Sequence, residues 1–329
     1  MANSGRYVVT GGAGFIGSAI VRALLREGAR DVVAIDNLLT GRESNLEEVR
    51  ACIDFQRADI RNYDEIAGII RGAAVVFHEA AIPSVPRSIA DPVPSHDVNI
   101  NGTFNVLRAA REGGVGRVVY AASSSAYGDT LVLPKVETMT PRPKSPYALQ
   151  KLVGEHYCQV FTAVWGLEAV ALRYFNVYGP RQDYHGAYIA VMMKILDALD
   201  RNEQPVIFGD GSQAYDFVHV EDVARANVCA LQSDCEFGFL NVGRGIKTSV
   251  KELAELLLQL TGKTKLGIRY EPSATSFVKN RVGSTAAAKE KIGYAWSIDL
   301  EEGMKSLIDW RQKHQLEVIR RQEAADLHV

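Results

Sequence analysis

Runs of strand length that are apolar without a break, such as Val32-Val33-Ala34-Ile35, recur through the first half of this chain. A strand with one face in water alternates polar and apolar residues. An unbroken run therefore belongs to a strand covered on both faces, as in a parallel sheet. Candidate strands fall at Tyr7–Thr10, Asp31–Ile35, Asp54–Arg57, Ala74–His78, Arg117–Ala122 and Leu167–Leu172. Helical stretches at Phe15–Glu27, Tyr63–Gly72, Pro94–Glu112 and Pro146–Val164 lie between them, with Gly28 a natural stop for the first. This alternation predicts an α/β chain built on a doubly wound parallel sheet. After about residue 175 the rhythm changes. Helices at Ala187–Asn202, Val220–Gln232, Val250–Thr261 and Leu300–Lys313 are separated by short strands and glycine-containing loops, which predicts a smaller mixed α/β domain.

The first strand runs directly into Thr10-Gly11-Gly12-Ala13-Gly14-Phe15-Ile16-Gly17-Ser18. Glycines at 11, 14 and 17 let the backbone turn tightly and approach a pyrophosphate, and the helix that follows offers its first N–H groups to the charge. Asp36 ends the second strand. A carboxylate there accepts bonds from both adenosine ribose hydroxyls and repels a 2′-phosphate, which points to NAD over NADP.

Ser145-Pro146-Tyr147-Ala148-Leu149-Gln150-Lys151 opens a later helix, with Ser145 as N-cap and Pro146 in the first helical position. Tyr147 and Lys151 then stand one turn apart on one face. A phenol is a poor base at neutral pH, but a nearby ammonium and a positive nicotinamide ring both favour the phenolate. Ser123, Ser124 and Ser125 follow the fifth strand, where a hydroxyl can reach a bound ligand and bond to a tyrosine. Pro83, Pro86, Pro92 and Pro94 lie in one loop, and Pro134, Pro141, Pro143 and Pro146 in another. Both follow strands of the sheet and read either as stiff walls of a pocket or as plain surface connectors.

Composition removes other classes. Lys plus Arg number 37 against 39 Asp plus Glu, a net charge of −2 with no run of like charges, so no nucleic-acid partner is expected. The four cysteines are too few and too irregular for a disulfide framework or a zinc site, and fit a reducing compartment. No leader pattern and no 18-residue apolar run is visible, so the expectation is a cytoplasmic protein without a membrane partner. The histidines show no metal-ligand spacing, and Gly-x-Ser-x-Gly, the serine hydrolase signature, is absent.

Together these motifs resemble the extended short-chain dehydrogenase/reductase family, and within it the nucleotide-sugar 4-epimerases. The likeness runs from Arg6 to about Trp310. It also includes Ile35-Asp36-Asn37-Leu38, Ala58-Asp59-Ile60-Arg61, His78-Glu79-Ala80-Ala81, Asn99-Ile100-Asn101-Gly102-Thr103 and Leu172-Arg173-Tyr174-Phe175-Asn176-Val177-Tyr178-Gly179-Pro180-Arg181-Gln182. The resemblance implies a Rossmann NAD-binding domain over residues 1–175, its sheet completed by later segments at about 210–245. A mainly sugar-nucleotide-binding domain over 176–313 and a polar tail over 314–329 follow.

Carried over by position, Gly11, Gly14, Phe15, Ile16, Gly17, Asp36, Asn37, Thr40, Gly41, Asp59, Ile60, Ala80, Ala81, Asn99, Tyr147, Lys151 and Tyr174 would hold NAD. Tyr147 would be the base, with Lys151 on the nicotinamide ribose. Counting back from Tyr127 makes Ser123 the catalytic serine, with Ser124 open as the alternative. Arg87, Ser123, Ser124, Ser125, Tyr147, Asn176 and Arg281 would meet the sugar nucleotide.

Related dehydratases and decarboxylases carry a carboxylate where this chain has Ser124-Ser125-Ala126, which disfavours both reactions. Ser84-Val85-Pro86-Arg87-Ser88-Ile89 and the serine run look like the bacterial UDP-N-acetylglucosamine 4-epimerases of surface-polysaccharide pathways. Asn176, where UDP-glucuronate 4-epimerases usually carry Thr, lowers the glucuronate reading. The family's Arg-Asp-Phe is here Tyr215-Asp216-Phe217, so a cation of the diphosphate site is missing. Either Arg281 substitutes for it or the donor differs. A homodimer is implied, through helices matching Asn101–Arg111 and Ala148–Val164. The non-enzyme alternative is an NAD-sensing scaffold.

Overall fold

The computed structural model describes residues 5–182, 189–272 and 280–326. The chain begins with β1 (Arg6–Thr10), α1 (Phe15–Arg26), β2 (Asp31–Asp36), a 3₁₀ stretch over Glu43–Cys52, β3 (Asp54–Arg57), α2 (Tyr63–Ile70) and β4 (Val75–His78). Next come α3 (Val85–Ala90), α4 (Pro92–His96), α5 (Thr103–Glu112), β5 (Arg117–Ser123), α6 (Pro146–Trp165), β6 (Glu168–Tyr174) and β7 (Asn176–Tyr178). The second half holds α7 (Ile189–Asp200), β8 (Val206–Phe208), β9 (Ala214–Tyr215), β10 (Phe217–His219), α8 (Val220–Gln232), β11 (Phe237–Val242), β12 (Thr248–Ser249) and α9 (Val250–Leu260). It ends with β13 (Arg269–Glu271), β14 (Asn280–Arg281), α10 (Ala286–Ile292), α11 (Leu300–Lys313) and α12 (Gln315–Asp326).

Seven strands form one sheet in the order β11-β6-β5-β4-β1-β2-β3, and every pairing is parallel. The apolar run on β2 shows why it is unbroken. Val32 and Ala34 enter the core on one face, with Ile20 and Leu24 of α1 and Val223 of α8. Val33 and Ile35 enter the core on the other, with Ile66 of α2, Leu107 of α5 and Phe161 of α6. Strand order reverses between β1 and β4, which opens a crevice at the carboxyl ends of the strands. A third core joins Leu196 of α7, Leu253 of α9, Leu307 of α11 and Tyr215.

The stretch expected as one helix over Pro94–Glu112 is divided into α4, a π-helical turn over Asp97–Gly102, and α5. The first proline loop is largely helical. Pro86 and Pro92 sit in the opening turns of α3 and α4, where the missing N–H would have had no helical partner, and Ser84 and Asp91 cap the two helices. Ala187, the expected start of α7, lies outside the described residues. In α12, Arg321 is buried and returns to the first half of the chain, donating to the Asn45 side chain at 2.6 Å and to the Arg181 carbonyl at 2.6 Å. Among the described residues no helix is long and apolar enough to cross a membrane.

Candidate active site

The glycine turn is pressed against the sheet. At Gly11, which has a φ of +67°, a Cβ would stand 2.7 Å from the backbone nitrogen of Ala80. At Gly17 it would stand 2.1 Å from the Gly11 carbonyl oxygen. Only hydrogen fits at either place. Gly11, Gly14, Phe15, Ile16 and Gly17 line a cleft at the start of α1, whose first N–H groups have no carbonyl within the helix to bind. That cradle fits the pyrophosphate of NAD.

Asp36 borders the same cleft. The Ala13 and Leu38 N–H groups donate to its carboxylate at 3.0 and 2.8 Å; burial raises its pKa and these bonds work against the rise. Each carboxylate oxygen keeps acceptor capacity for a ribose hydroxyl. Gly41 stands behind it, where a Cβ would meet the carboxylate at 2.6 Å. Asn37, Thr40, Asp59, Ile60, Ala80 and Ala81 continue the lining. Arg61, together with a 2.8 Å bond from Asn37, holds the Asp59 carboxyl down at about 2.

At the other end, α6 begins as its sequence requires, Ser145 accepting from the Ala148 N–H at 3.2 Å. The helix packs so closely on β5 that a Cβ on Gly154 would meet the Tyr120 hydroxyl at 2.2 Å. Lys151 is thereby buried, and its ammonium donates to the Ala121 carbonyl at 2.8 Å. Of the three serines, Ser123 is the one whose hydroxyl acts on the Tyr147 phenol, drawing its pKa down. The Ser125 hydroxyl donates to Ser123 at 2.8 Å and extends the chain of hydroxyls. Burial pushes Tyr147 up to about 12, while the Ser123 bond and the Arg281 charge pull it down. Arg281 is thus a further cation acting on the phenol, beside the Lys151 that the sequence pointed to.

Ser124, Ser125, Asn176, Arg87 and Arg281 all line this end. Tyr215 does not replace the expected arginine there, because its ring is buried against Phe217. Arg281 stands opposite Tyr215 in register on the paired strand β14. A cation is therefore present one strand away from its expected place.

Asn99 lies behind the lining. Its side chain spans the Ile82 N–H and carbonyl and accepts no more than the frame offers, donating also to Gln150 of α6 at 2.9 Å. The first proline stretch lines the cleft through Pro83, Ser84, Val85 and Arg87, whereas in the second only Tyr147, just past Pro146, borders it. Sequence reasoning gave no role to Glu79, which the structure places in the cleft wall beside Ala80. The signal was an acidic residue at the carboxyl end of a central strand.

Residues 7–243 match the NAD dependent epimerase/dehydratase family. A UDP-glucose 4-epimerase of Mycolicibacterium smegmatis is 36% identical over 94% of this chain and 100% of its own length. A UDP-N-acetylglucosamine 4-epimerase from Methanobrevibacter ruminantium, solved with UDP-N-acetylmuramic acid, superposes with a TM-score of 0.88 at 34% identity, over 94% of this chain and 98% of that one. A Thermus thermophilus UDP-glucose 4-epimerase solved with NAD gives 0.83 at 35% identity, over 94% and 99%.

Proposed function

The chain belongs to the NAD dependent epimerase/dehydratase family, and from this premise we propose that it interconverts UDP-sugars that differ at C4: UDP-glucose with UDP-galactose, or their N-acetylated counterparts. The observation that carries the reading is that Ser123, Tyr147 and Lys151 line the same cleft as the glycine cradle and Asp36. NAD, when bound, would supply reversible hydride transfer at the sugar C4. Tyr147 removes the proton of the 4-hydroxyl and gives it back after the 4-keto sugar has turned. Ser123 donates to the Tyr147 oxygen and stabilises its anionic form. Lys151 would hold the nicotinamide ribose, and Asp36 the adenosine ribose. The turn over Ser124–Tyr127 offers no carboxylate, so the extra acid and base that a dehydratase needs are missing from that place.

The test is NMR of products from a panel of UDP-glucose, UDP-N-acetylglucosamine, UDP-glucuronate and their 4-epimers. A product of unchanged mass inverted at C4 is expected. Loss of water or carbon dioxide would replace this reading with the dehydratase or decarboxylase one. NAD binding without any turnover would leave the sensing scaffold.

Arg281 takes the diphosphate role that Tyr215 cannot fill. Removing a charge-assisted hydrogen bond costs about 1.5–3 kcal/mol. Arg281→Met is therefore expected to raise KM by roughly tenfold to a hundredfold. An unchanged KM would exclude Arg281 from the substrate site.

A homodimer is also proposed. Phe104 on α5 and Leu149, Val160, Val164 and Trp165 on α6 are exposed, and those of α6 recur at helical spacing. Sedimentation should give twice the chain mass, and Phe104→Glu with Val160→Glu should give the monomer. A wild-type monomer at micromolar concentration would overturn the proposal.

A further inference from the structure

Residues 314–329 read in sequence as a polar tail, yet α12 buries both Val318 and the charged Arg321. A guanidinium cannot shed its proton to escape burial, so the donors it hides from water must meet acceptors in the protein. Arg321 meets three. Its Nε donates to the Glu317 carboxylate one turn earlier at 3.0 Å, and the same carboxylate accepts from the Ser44 hydroxyl at 3.1 Å. Its other two nitrogens reach across the chain, to the Arg181 carbonyl and to the Asn45 amide oxygen, both at 2.6 Å. The centre of the Trp310 ring, on α11, lies 5.4 Å from the guanidinium carbon.

Asn45 passes this contact to the glycine turn. It stands near the start of the 3₁₀ stretch and is buried. Its amide nitrogen donates at 2.8 Å to the Ala13 carbonyl, which also accepts from the Arg42 N–H at 2.9 Å. The amide can stand only one way round, because a guanidinium only donates and a carbonyl only accepts. Ala13 is therefore held at both backbone groups, its carbonyl by Asn45 and Arg42 and its N–H by the Asp36 carboxylate at 3.0 Å. Gly14, Phe15 and Ile16 follow it directly and border the cleft. Arg22 of α1 donates to the Asn45 carbonyl at 2.9 Å and completes the brace. The second long bond leads to the cleft as well. Gln182, next after Arg181, borders it, and its side chain accepts from the Gly179 N–H at 3.1 Å.

We propose that Arg321 is a positioning residue for the dinucleotide site, through which α12 braces Asn45 against Ala13 and so holds the glycine turn and Asp36 in the arrangement that binds NAD. The inference rests on the cleft being the NAD site, and not on the sugar chemistry. Without the guanidinium, Asn45 loses the contact that fixes its side chain, and the Ala13 carbonyl keeps only the Arg42 bond. The turn then spends less of its time in the binding arrangement, and NAD binding weakens by that fraction.

The experiment is equilibrium dialysis of the full chain against NAD, with bound nucleotide measured after denaturation. Arg321→Met keeps much of the side-chain volume and removes every donor, and its Kd for NAD should rise by about tenfold. Asn45→Asp still accepts from Arg321 but loses the amide nitrogen that holds the Ala13 carbonyl. Its Kd should rise to a similar extent although α12 stays attached. The double variant should bind no more weakly than the weaker single one, since both changes cut the same link. Arg321→Lys offers one compact donor group in place of the fork and should fall between the wild type and Arg321→Met.

Gln322→Ala separates the brace from the packing of α12. Gln322 also ties this helix down, donating to Asp197 of α7 at 2.8 Å, and its removal should leave the Kd for NAD unchanged. An unchanged Kd in Arg321→Met, additive losses in the double variant, or a rise in Gln322→Ala equal to that of Arg321→Met would overturn the proposal. Should Arg321→Met fail to fold, Asn45→Asp decides, since the brace predicts weaker NAD binding there and an unchanged Kd overturns it. Sugar turnover enters none of these readouts, so they fail independently of the epimerase reading.

Discussion

Tyr147→Phe should lower kcat by about 10²- to 10⁴-fold, the range general acid–base catalysis contributes, while leaving the NAD content of the purified protein unchanged. The substitution removes one oxygen. It leaves the ring, the Ser145 cap, and the bond from the Tyr147 N–H to Ser88 at 3.2 Å, so the start of α6 should be preserved. What disappears is the atom that Ser123 bonds and that exchanges a proton with the sugar.

The size of the loss follows from how the phenol is held. Without cofactor it is pushed up to about 12 by burial, and is fully protonated at neutral pH. Reaction requires the Ser123 hydroxyl, the Lys151 ammonium and the nicotinamide charge to bring it down together. Ser123→Ala removes one of these influences and should cost less than Tyr147→Phe, with its activity recovering as pH rises. Kinetics by NMR, with NAD measured after denaturation, checks both variants. Full activity in an NAD-replete Tyr147→Phe protein would eliminate Tyr147 as the base.

The parts of this site that the sequence announced are the local ones. The glycine turn, Asp36 at a strand end and the Tyr147–Lys151 spacing each depend on a few consecutive residues and on the period of one helix or strand. The sheet was legible for the same reason, since β2 alternates between two cores with neither exposed. What was not legible depends on tertiary register. Arg281 can stand in for the arginine missing at Tyr215 only because β14 pairs with β9, and no spacing along the chain announces that pairing.

Glu79 and Lys151 are separated by 72 residues and come to line one cleft through the packing of α6 on the sheet. The two short helices α3 and α4 were hidden because proline in an opening turn looks like proline in a loop. Asn99, read as a cofactor contact, shows how the same residue can serve the site indirectly: its amide ties Ile82 of the cleft wall to Gln150 of the catalytic helix.

The largest stability loss is expected from Glu155→Leu. Arg173 of β6 and Glu155 of α6 form a two-pronged ion pair at 2.8 and 2.7 Å, with side chains 2% and 0% exposed. Burial opposes the Arg173 charge, and the Glu155 carboxylate more than offsets it, so the guanidinium pKa rises. Removing the carboxylate leaves a buried cation that cannot shed its proton, which costs about 3–5 kcal/mol.

The damage should extend beyond the pair. Arg173 also donates to the Tyr127 hydroxyl at 3.0 Å, and Tyr127 donates to Asn241 at 2.7 Å. Asn241 then reaches the Lys135 and Ser284 carbonyls at 3.0 and 3.1 Å. This network runs from the sheet through the serine turn to the later segments, so losing it should also slacken Ser123.

Arg173→Met behaves differently. It leaves the buried carboxylate without its cation. The double variant Glu155→Leu/Arg173→Met places two apolar side chains where the charges were and should be more stable than Glu155→Leu alone. Urea denaturation of the three variants measures this. A loss below about 1 kcal/mol for Glu155→Leu would mean that water reaches Arg173 and that the pair is not the buried anchor its geometry indicates.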